Sequence, residues 1–205
     1  MAKSKSSKNW LDEHFSDTYV KQSKVDGYRG RAAYKLIELN DKYKLFSKGQ
    51  SVVDLGAAPG GWSQVLTKLL GDNGKIFALD ILDIDPIAGV DFIQGDFTEE
   101  QPYQDLINLT EGKPINWVIS DMAPNMSGNK TTDQAKSLYL VELAVDFADQ
   151  VLEKNGSFLA KVFQGNGFDN LVDSLRKKYK SVSIKKPDSS RARSSEVYVV
   201  AKHKV

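Results

Sequence analysis

The segment VVDLGAAPGGWSQ, residues 52–64, decides the fold class of this chain. An apolar run ends in an acidic residue, a glycine-rich turn follows, and a helical pattern begins directly after the turn. This order places backbone N–H groups at the carboxyl edge of a parallel sheet, where α/β folds bind ligands. A dinucleotide fold has three glycines in its G-x-G-x-x-G turn, but here Ala58 stands in the middle position between Gly56 and Gly61. The segment therefore argues against NAD or FAD, and the chain has no G-K-[ST] phosphate loop either.

Outward from this segment, strand patterns alternate with helix patterns. The sequence predicts seven strands, at residues 51–55, 75–80, 90–95, 115–120, 157–163, 181–186 and 196–202. It predicts helices at residues 30–43, 61–70, 98–110, 133–153 and 167–179. Such alternation is typical of an α/β fold with a mostly parallel sheet covered on both faces. Only a short loop separates the last two strands, so we expect a C-terminal hairpin with one antiparallel strand.

The composition narrows the class of protein further. A length of 205 residues suits one α/β domain, which we place at residues 10–205 after a flexible basic tail at residues 1–9. The chain has no cysteine and only two histidines, which argues against disulfides, cysteine nucleophiles and histidine-rich metal sites. No apolar run could span a bilayer or form the core of a signal peptide. We therefore expect a cytoplasmic, metal-free protein.

Charge is distributed unevenly along the chain. Residues 1–48 carry a formal charge of +5, residues 49–174 carry −12 and residues 175–205 carry +8. Basic ends around an acidic centre favour a polyanion held by the two termini, and RNA or DNA is the common polyanion. The candidate contacts to its phosphates are Lys21, Lys24, Arg29, Arg31, Arg191 and Arg193.

Acidic residues follow three successive predicted strands beside the glycine-rich turn. Asp80 ends the second strand, in the position where α/β folds place the acceptor for ribose hydroxyls. Asp96 and Phe97 follow the third strand and offer a hydrogen-bond acceptor and a ring for an adenine. Asp54 or Asp121 could hold an ammonium group, while the helix N-terminus after Gly56 could hold a carboxylate. A nucleoside joined to an amino acid satisfies all of these groups, which indicates S-adenosylmethionine.

A second group of residues contains the candidate catalytic side chains, which are two lysines and two acidic residues. Lys161 lies in the otherwise apolar strand FLAKVF, where an unpaired ammonium would be costly to bury. Asp121 follows the fourth strand, Glu196 opens the last strand, and Lys35 lies in the first predicted helix. These segments converge on the same sheet edge if the fold is the predicted one.

At these residues the sequence resembles the FtsJ/RrmJ family of ribosomal-RNA ribose 2′-O-methyltransferases. The resemblance rests on GRAAYKL (30–36), VVDLGAAPGGWSQ (52–64), SDMAPNMSG (120–128), FLAKVFQG (158–165) and RARSSEVYVV (191–200). It implies a single-domain Rossmann-like methyltransferase that depends on S-adenosylmethionine. It also implies a catalytic tetrad of Lys35, Asp121, Lys161 and Glu196, and cofactor contacts from Gly60, Trp62, Asp80, Asp96 and Asp121.

The chemistry of ribose methylation agrees with this tetrad. A 2′-hydroxyl must lose its proton as it attacks the methyl group, and we assign Lys161 as the base, with Asp121 orienting it. Lys35 and Glu196 would position the hydroxyl. Burial, the second lysine and the cofactor's positive charge favour a neutral amine, whereas the two carboxylates favour the ammonium form. The sequence leaves that balance open.

Two other functions stay open at this point. The segment SDMAPN loosely resembles the [DNS]-P-P-[YF] motif of amino-group methyltransferases, but Met122 and Ala123 interrupt it and Asn125 replaces the aromatic residue. A non-catalytic RNA-binding protein is the second alternative, although it would not need Lys161 in an apolar strand. Within the family, transfer RNA is another substrate. The resemblance favours a uridine of 23S ribosomal RNA within the large ribosomal subunit, and we expect the enzyme to be a monomer.

Overall fold

Seven strands form one sheet in the computed structural model, which describes residues 17–191 and 194–205. The strands are β1 (Ser51–Leu55), β2 (Lys75–Asp80), β3 (Val90–Gln94), β4 (Ile115–Ser120), β5 (Leu152–Phe163), β6 (Tyr179–Lys185) and β7 (Glu196–Lys204). Their order across the sheet is β3-β2-β1-β4-β5-β7-β6. Neighbours from β3 to β5 are parallel, whereas β7 is antiparallel to both β5 and β6. The predicted mostly parallel α/β sheet with a C-terminal antiparallel hairpin is confirmed.

Six helices accompany the sheet in the described part of the chain. They are α1 (Thr18–Val25), α2 (Ala32–Tyr43), α3 (Gly61–Leu70), α4 (Glu100–Thr110), α5 (Lys130–Val151) and α6 (Phe168–Lys178). Apolar residues of α2 and α3 form one buried cluster with β-strand side chains such as Trp117 and Tyr198. Apolar residues of α4, α5 and α6 form a second cluster with other strand side chains, such as Phe77 and Phe158. The sheet is thus covered on both faces, as continuous apolar strands require.

One edge of the sheet collects the chain segments that carry the candidate site. The parallel strands β1, β2, β3, β4 and β5 all end at this edge. Because β7 is antiparallel to β5, it begins where β5 ends, and Glu196 is the register partner of Phe163. Two residues further along, Tyr198 is the register partner of Lys161. Directly opposite side chains in an antiparallel pair lie on the same face, so Lys161 and Tyr198 are neighbours.

Three differences from the predicted elements exceed two residues. The helix α1 is absent from the prediction because its sequence TYVKQSKV is mostly polar and buries only Val20 and Ser23. The helix α5 begins at residue 130, where the Asn129 side chain accepts hydrogen bonds from the N–H groups of Thr131 and Thr132. The strand β5 begins before the predicted Asn155-Gly156 stop, because residues 153–156 bulge between the pairs formed by Leu152 and Ser157. The predicted tail at residues 1–9 lies outside the described residues, so the domain limits stay predictions.

Candidate active site

Two ion pairs bring the four predicted catalytic residues together at the carboxyl edge. The Lys161 ammonium lies 3.2 Å from Oδ1 of Asp121 and donates a hydrogen bond of 2.5 Å to the Asp121 carbonyl oxygen. The Lys35 ammonium lies 2.7 Å from Oε1 of Glu196. All four side chains are largely buried, with 16% exposure or less. The burial cost that a lysine in an apolar strand would bear is therefore offset by a carboxylate partner.

Tyr198 connects the two ion pairs and was not predicted as a site residue. Its hydroxyl donates a hydrogen bond of 2.8 Å to Oδ1 of Asp121, and the Lys35 ammonium lies 5.6 Å from the centre of its ring. On its other side the ring packs against Trp62 at 5.9 Å between centroids. A usable signal existed in the sequence, since Tyr198 follows Glu196 by two residues and therefore shares its strand face.

The charges around Asp121 fix its protonation state. Burial alone would raise the pKa of this carboxyl group. The ammonium groups of Lys161 and Lys35, together with the hydrogen bonds from Tyr198 and Lys161, outweigh that effect and lower the pKa below its ordinary value. Burial and the neighbouring carboxylates of Asp121 and Glu196 raise the pKa of Tyr198 well above its ordinary value, so its hydroxyl stays a donor. Asp121 is thus an acceptor-only group at neutral pH.

We expect Tyr198→Phe to destabilise the protein by about 2 kcal/mol, because a buried hydrogen bond to a charged acceptor is lost. Denaturant unfolding measures this change. Tyr179→Phe is the matched control, since the Tyr179 hydroxyl is buried and has no hydrogen-bond partner among the described residues. Equal losses of stability in the two variants would contradict a specific role for the bond between Tyr198 and Asp121.

A cavity of about 570 Å³ lies beside this site, over the carboxyl ends of β1, β2, β3 and β4. Five of the predicted cofactor residues line it, namely Gly56, Asp80, Asp96, Phe97 and Asp121. The Asp80 carboxylate accepts hydrogen bonds from the N–H groups of Ala58 and Leu82, each 2.9 Å long. Those bonds hold it against the glycine-rich turn. The start of α5 adds Lys136, Tyr139 and Leu140 to the lining, which the sequence did not indicate.

Gly56 has a conformation and a position that only glycine can take. Its φ angle is +79°, in the left-handed region, and a Cβ atom placed there would lie 2.7 Å from the Met122 side chain. The loop after β4 therefore packs directly on the turn after β1. This close approach brings Asp121 to the cavity wall.

Three predicted cofactor residues lie outside the cavity lining. Asp54 is fully buried, and its Oδ2 accepts a hydrogen bond of 2.7 Å from Ser63. The Trp62 indole donates a hydrogen bond of 2.8 Å to the Ala32 carbonyl and belongs to the core, so its ring is not available to a ligand. Gly60 caps the N-terminus of α3. The Gly60 N–H donates a hydrogen bond of 2.7 Å to the Ala57 carbonyl oxygen, so a cofactor contact at the helix start would use the backbone N–H of Trp62.

Burial also changes the chemistry of Asp54. The pKa of this carboxyl is raised from 3.8 to about 7, mainly by burial and also by the nearby Asp121 and Asp80 carboxylates, while the hydrogen bond from Ser63 opposes the rise. Its Oδ1 atom has no hydrogen-bond partner among the described residues. The acid predicted as a ligand of the cofactor therefore lies beneath the turn instead of in the cavity.

A second cavity, of about 490 Å³, lies on the other side of the tetrad. It is lined by Lys35, Glu196, Arg31, Arg191 and three other residues, Ala32, Phe163 and Ser194. Two of the predicted RNA-binding arginines, Arg31 and Arg191, thus lie next to the pair of Lys35 and Glu196.

The other predicted RNA contacts are more scattered. The Arg29 guanidinium donates hydrogen bonds to the carbonyl oxygens of Asp85 at 2.6 Å and Pro86 at 3.3 Å. It therefore binds the loop after β2. Lys21 and Lys24 are exposed on α1. Arg193 lies outside the described residues.

Neither a metal site nor a membrane span emerges from the part of the chain that the structure describes. Over residues 17–191 and 194–205, no three His, Asp or Glu side chains are grouped so that they could hold a metal ion. No helix within those ranges combines the length and the apolar character needed to cross a bilayer.

The strand order, the glycine-rich turn and the acid-lined cavity define a Rossmann-like methyltransferase. A family model described as FtsJ-like methyltransferase matches residues 28–204, and the chain belongs to that family. It is 58% identical over 204 residues to ribosomal RNA large subunit methyltransferase E of Hydrogenovibrio crunogenus, covering 100% of this chain and 99% of that protein. The protein of the same name from Hahella chejuensis is 58% identical over 202 residues, with 98% of each chain covered. A crystal structure of a ribosomal RNA methyltransferase from Plasmodium falciparum is 33% identical, with a TM-score of 0.76 over 86% of this chain and 98% of that one.

Proposed function

We propose that this chain transfers the methyl group of S-adenosylmethionine to a ribose 2′-hydroxyl of large-subunit ribosomal RNA, on a uridine of 23S RNA. One observation carries the proposal: members of the tetrad line two different cavities. Asp121 lines the acid-lined cavity, and the pair of Lys35 and Glu196 lines the cavity that holds two arginines. A cationic nucleoside suits the first cavity and an RNA chain suits the second.

The residues of the acid-lined cavity fit the proposed cofactor. A volume of about 570 Å³ is in the range of small-molecule sites. Asp80 and Asp96 would hold the ribose and adenine of the nucleoside, and Asp121 would attract its positively charged end. When bound, S-adenosylmethionine supplies an electrophilic methyl group.

The four tetrad residues divide the work of activating the hydroxyl. In its neutral amine form, after its ammonium proton has left to solvent, Lys161 accepts the proton that the 2′-hydroxyl loses, and its two contacts to Asp121 fix the position of its nitrogen. Lys35 and Glu196 orient the ribose from the second cavity. Because a bound ribose would meet all these groups in one fixed arrangement, alignment supplies a large part of the acceleration.

The substrate is proposed from the relatives. Ribosomal RNA large subunit methyltransferase E of two bacteria matches nearly the whole chain at 58% identity. The names of these relatives support an enzyme that acts on large-subunit ribosomal RNA, and we further propose that it is a monomer in the cytoplasm. The arginines next to Lys35 and Glu196 are consistent with an RNA backbone across the active-site mouth.

We expect RNA affinity to fall steeply with salt. If about four phosphates are contacted, the dissociation constant rises roughly fifty-fold between about 50 and 200 mM salt. Filter binding of a labelled RNA at several salt concentrations measures the slope. Lys21→Gln should reduce the slope of log Kd against log salt concentration by about the amount expected for one lost phosphate contact. Lys75→Gln, at the opposite edge of the sheet, should leave this slope unchanged. A flat response in the wild-type protein would contradict the phosphate contacts.

The deciding experiment incubates the protein with radiolabelled S-adenosylmethionine and large ribosomal subunits that lack 2′-O-methylation. Alkali then digests the RNA, but it cannot cleave beside a methylated ribose. Label in an alkali-resistant dinucleotide that contains uridine supports the proposal. Label in ordinary mononucleotides would show base methylation and refute the role of the tetrad. Label on transfer RNA alone would keep the chemistry and refute the substrate.

A further inference from the structure

The N-terminal helix α1 makes its closest polar contacts with Arg31, one of the arginines of the second cavity. Asp17 caps α1, since its Oδ1 accepts a hydrogen bond of 3.0 Å from the N–H of Tyr19. Its other oxygen, Oδ2, forms an ion pair with the Arg31 guanidinium and lies 4.0 Å from that of Arg191. The Tyr19 ring lies 5.8 Å from the Arg31 guanidinium. The first residues of α1 thus hold Arg31 by charge and by an aromatic face.

Arg31 in turn holds the loop between β6 and β7. Its second guanidinium nitrogen donates to the Ser189 carbonyl oxygen, and the Ser189 N–H donates to Glu38 of α2 at 3.1 Å. Glu38 also accepts a hydrogen bond of 3.3 Å from the Tyr19 hydroxyl. Ser189 is fully buried. Two separate contacts therefore fasten the middle of this loop to α1 and α2.

The same loop reaches the catalytic residues. Next to Ser189, the Ser190 hydroxyl donates a hydrogen bond of 2.9 Å to Oε1 of Glu196, the oxygen that also pairs with Lys35. Arg191 follows and lines the second cavity. A continuous set of contacts therefore runs from Asp17 through Arg31 and the loop to Glu196.

We propose that Asp17 is a positioning residue for the RNA substrate. Its carboxylate holds Arg31 and the loop of residues 187–191, so that Arg31, Arg191 and Glu196 form one wall of the substrate cavity. Arg31 and Asp17 are only 19% and 10% exposed, which is the environment in which a charged hydrogen bond is worth most. This inference rests on the proposed function, because it assigns the second cavity to RNA.

A simple electrostatic effect predicts the opposite result. If Asp17 merely reduced the positive charge near the RNA, its removal would strengthen the binding of every RNA. If Asp17 positions the arginines, its removal weakens the binding of the true substrate. The sign of the change therefore separates the two explanations.

Two substitutions separate the ion pair from the helix cap. Asp17→Asn keeps a good capping side chain but loses the charge, whereas Asp17→Glu keeps the charge and caps poorly. We expect Asp17→Asn to raise the KM for large ribosomal subunits about tenfold, with kcat and the KM for S-adenosylmethionine unchanged. Asp17→Glu should restore part of the KM. Asp26→Asn is the matched control, because Asp26 follows the other end of α1 and bonds Tyr34 and Gln22 but no arginine.

Amide hydrogen exchange of residues 187–191 gives a readout that does not depend on activity. We expect faster exchange there in Asp17→Asn and unchanged exchange in Asp26→Asn. Unchanged loop exchange, an unchanged or lower KM for subunits, or a larger effect of Asp17→Glu than of Asp17→Asn would overturn the inference. A wild-type protein that methylates no ribose would overturn the proposed function, and the exchange data would still decide whether Asp17 holds the loop.

Discussion

Lys161→Met is expected to lower kcat for ribose methylation by about a thousandfold while RNA and S-adenosylmethionine still bind. Methionine fills the volume of the lysine stem but has no group that can take the hydroxyl proton, and removing a general base costs about 10²–10⁴ in rate. The buried Asp121 carboxylate keeps its hydrogen bond from the Tyr198 hydroxyl, so it still has a hydrogen-bond partner in this variant. Single-turnover methyl transfer measures the rate, and equilibrium binding measures the two ligands.

Two further variants make this expectation specific. Lys161→Arg keeps the positive charge beside Asp121 but cannot lose a proton at neutral pH, so it should be nearly as inactive as Lys161→Met. Lys202 is a matched control on the neighbouring strand β7, where its ammonium donates a hydrogen bond of 3.4 Å to the Tyr43 carbonyl oxygen, and Lys202→Met should leave kcat unchanged. An active Lys161→Arg enzyme would show that the residue supplies charge and not a proton acceptor.

Asp54→Asn is expected to change how stability depends on pH. The pKa of Asp54 is about 7 in the folded protein against an ordinary value of 3.8, so the folded state binds its proton more tightly than the unfolded state does. Stability from this group therefore falls as pH rises from about 4 to 7, by about 4 kcal/mol in total, and stays low above pH 7. Asparagine does not titrate, and its side-chain oxygen can still accept the hydrogen bond from Ser63.

Denaturant unfolding at several pH values measures this difference. Many other acids titrate over the same range, but their contributions cancel when the variant is compared with the wild-type protein. The free energy of unfolding of Asp54→Asn, relative to wild type, should rise between pH 4 and pH 7. Ser63→Ala removes the hydrogen bond that lowers the pKa of Asp54, so it should raise that pKa further. In this variant the fall in stability with pH should extend to higher pH than in the wild-type protein. Parallel pH profiles for Asp54→Asn and wild type would show that the pKa of Asp54 is not raised in the folded protein.

The resemblance to the FtsJ/RrmJ family implied the tetrad, and the positions of Asp121, Lys161 and Glu196 at strand ends or in an apolar strand agreed with it. Asp121 follows an apolar strand, Lys161 interrupts one, and parallel strands must end at a common edge. The structure brings the side chains of Lys35, Asp121, Lys161 and Glu196 together as two ion pairs. Their catalytic roles stay predictions until the variants are measured.

What the sequence could not predict depends on contacts between distant segments. Strand alternation places Tyr198 on the same face as Glu196, but its position opposite Lys161 depends on the register of β7 on β5, which periodicity does not specify. Asp54 and Trp62 stand next to the glycine-rich turn in sequence, but their depth below it depends on how α2 and α3 pack. The helix α1 escaped prediction because its ends are set by Asp17 and its position by Arg31, not by an apolar stripe.

The insertion of β7 between β5 and β6 has a consequence for the order in which the enzyme becomes competent during synthesis. Strands β1, β2, β3 and β4 and the walls of the acid-lined cavity all precede Leu152 in the chain. The pair of Lys35 and Glu196, in contrast, joins a helix made early to a strand made last. A nascent chain emerging from a translating ribosome can thus form the acid-lined cavity first. The pair of Lys35 and Glu196, to which we assign the orientation of the ribose, is complete only when the last strand has left the exit tunnel and paired with β5.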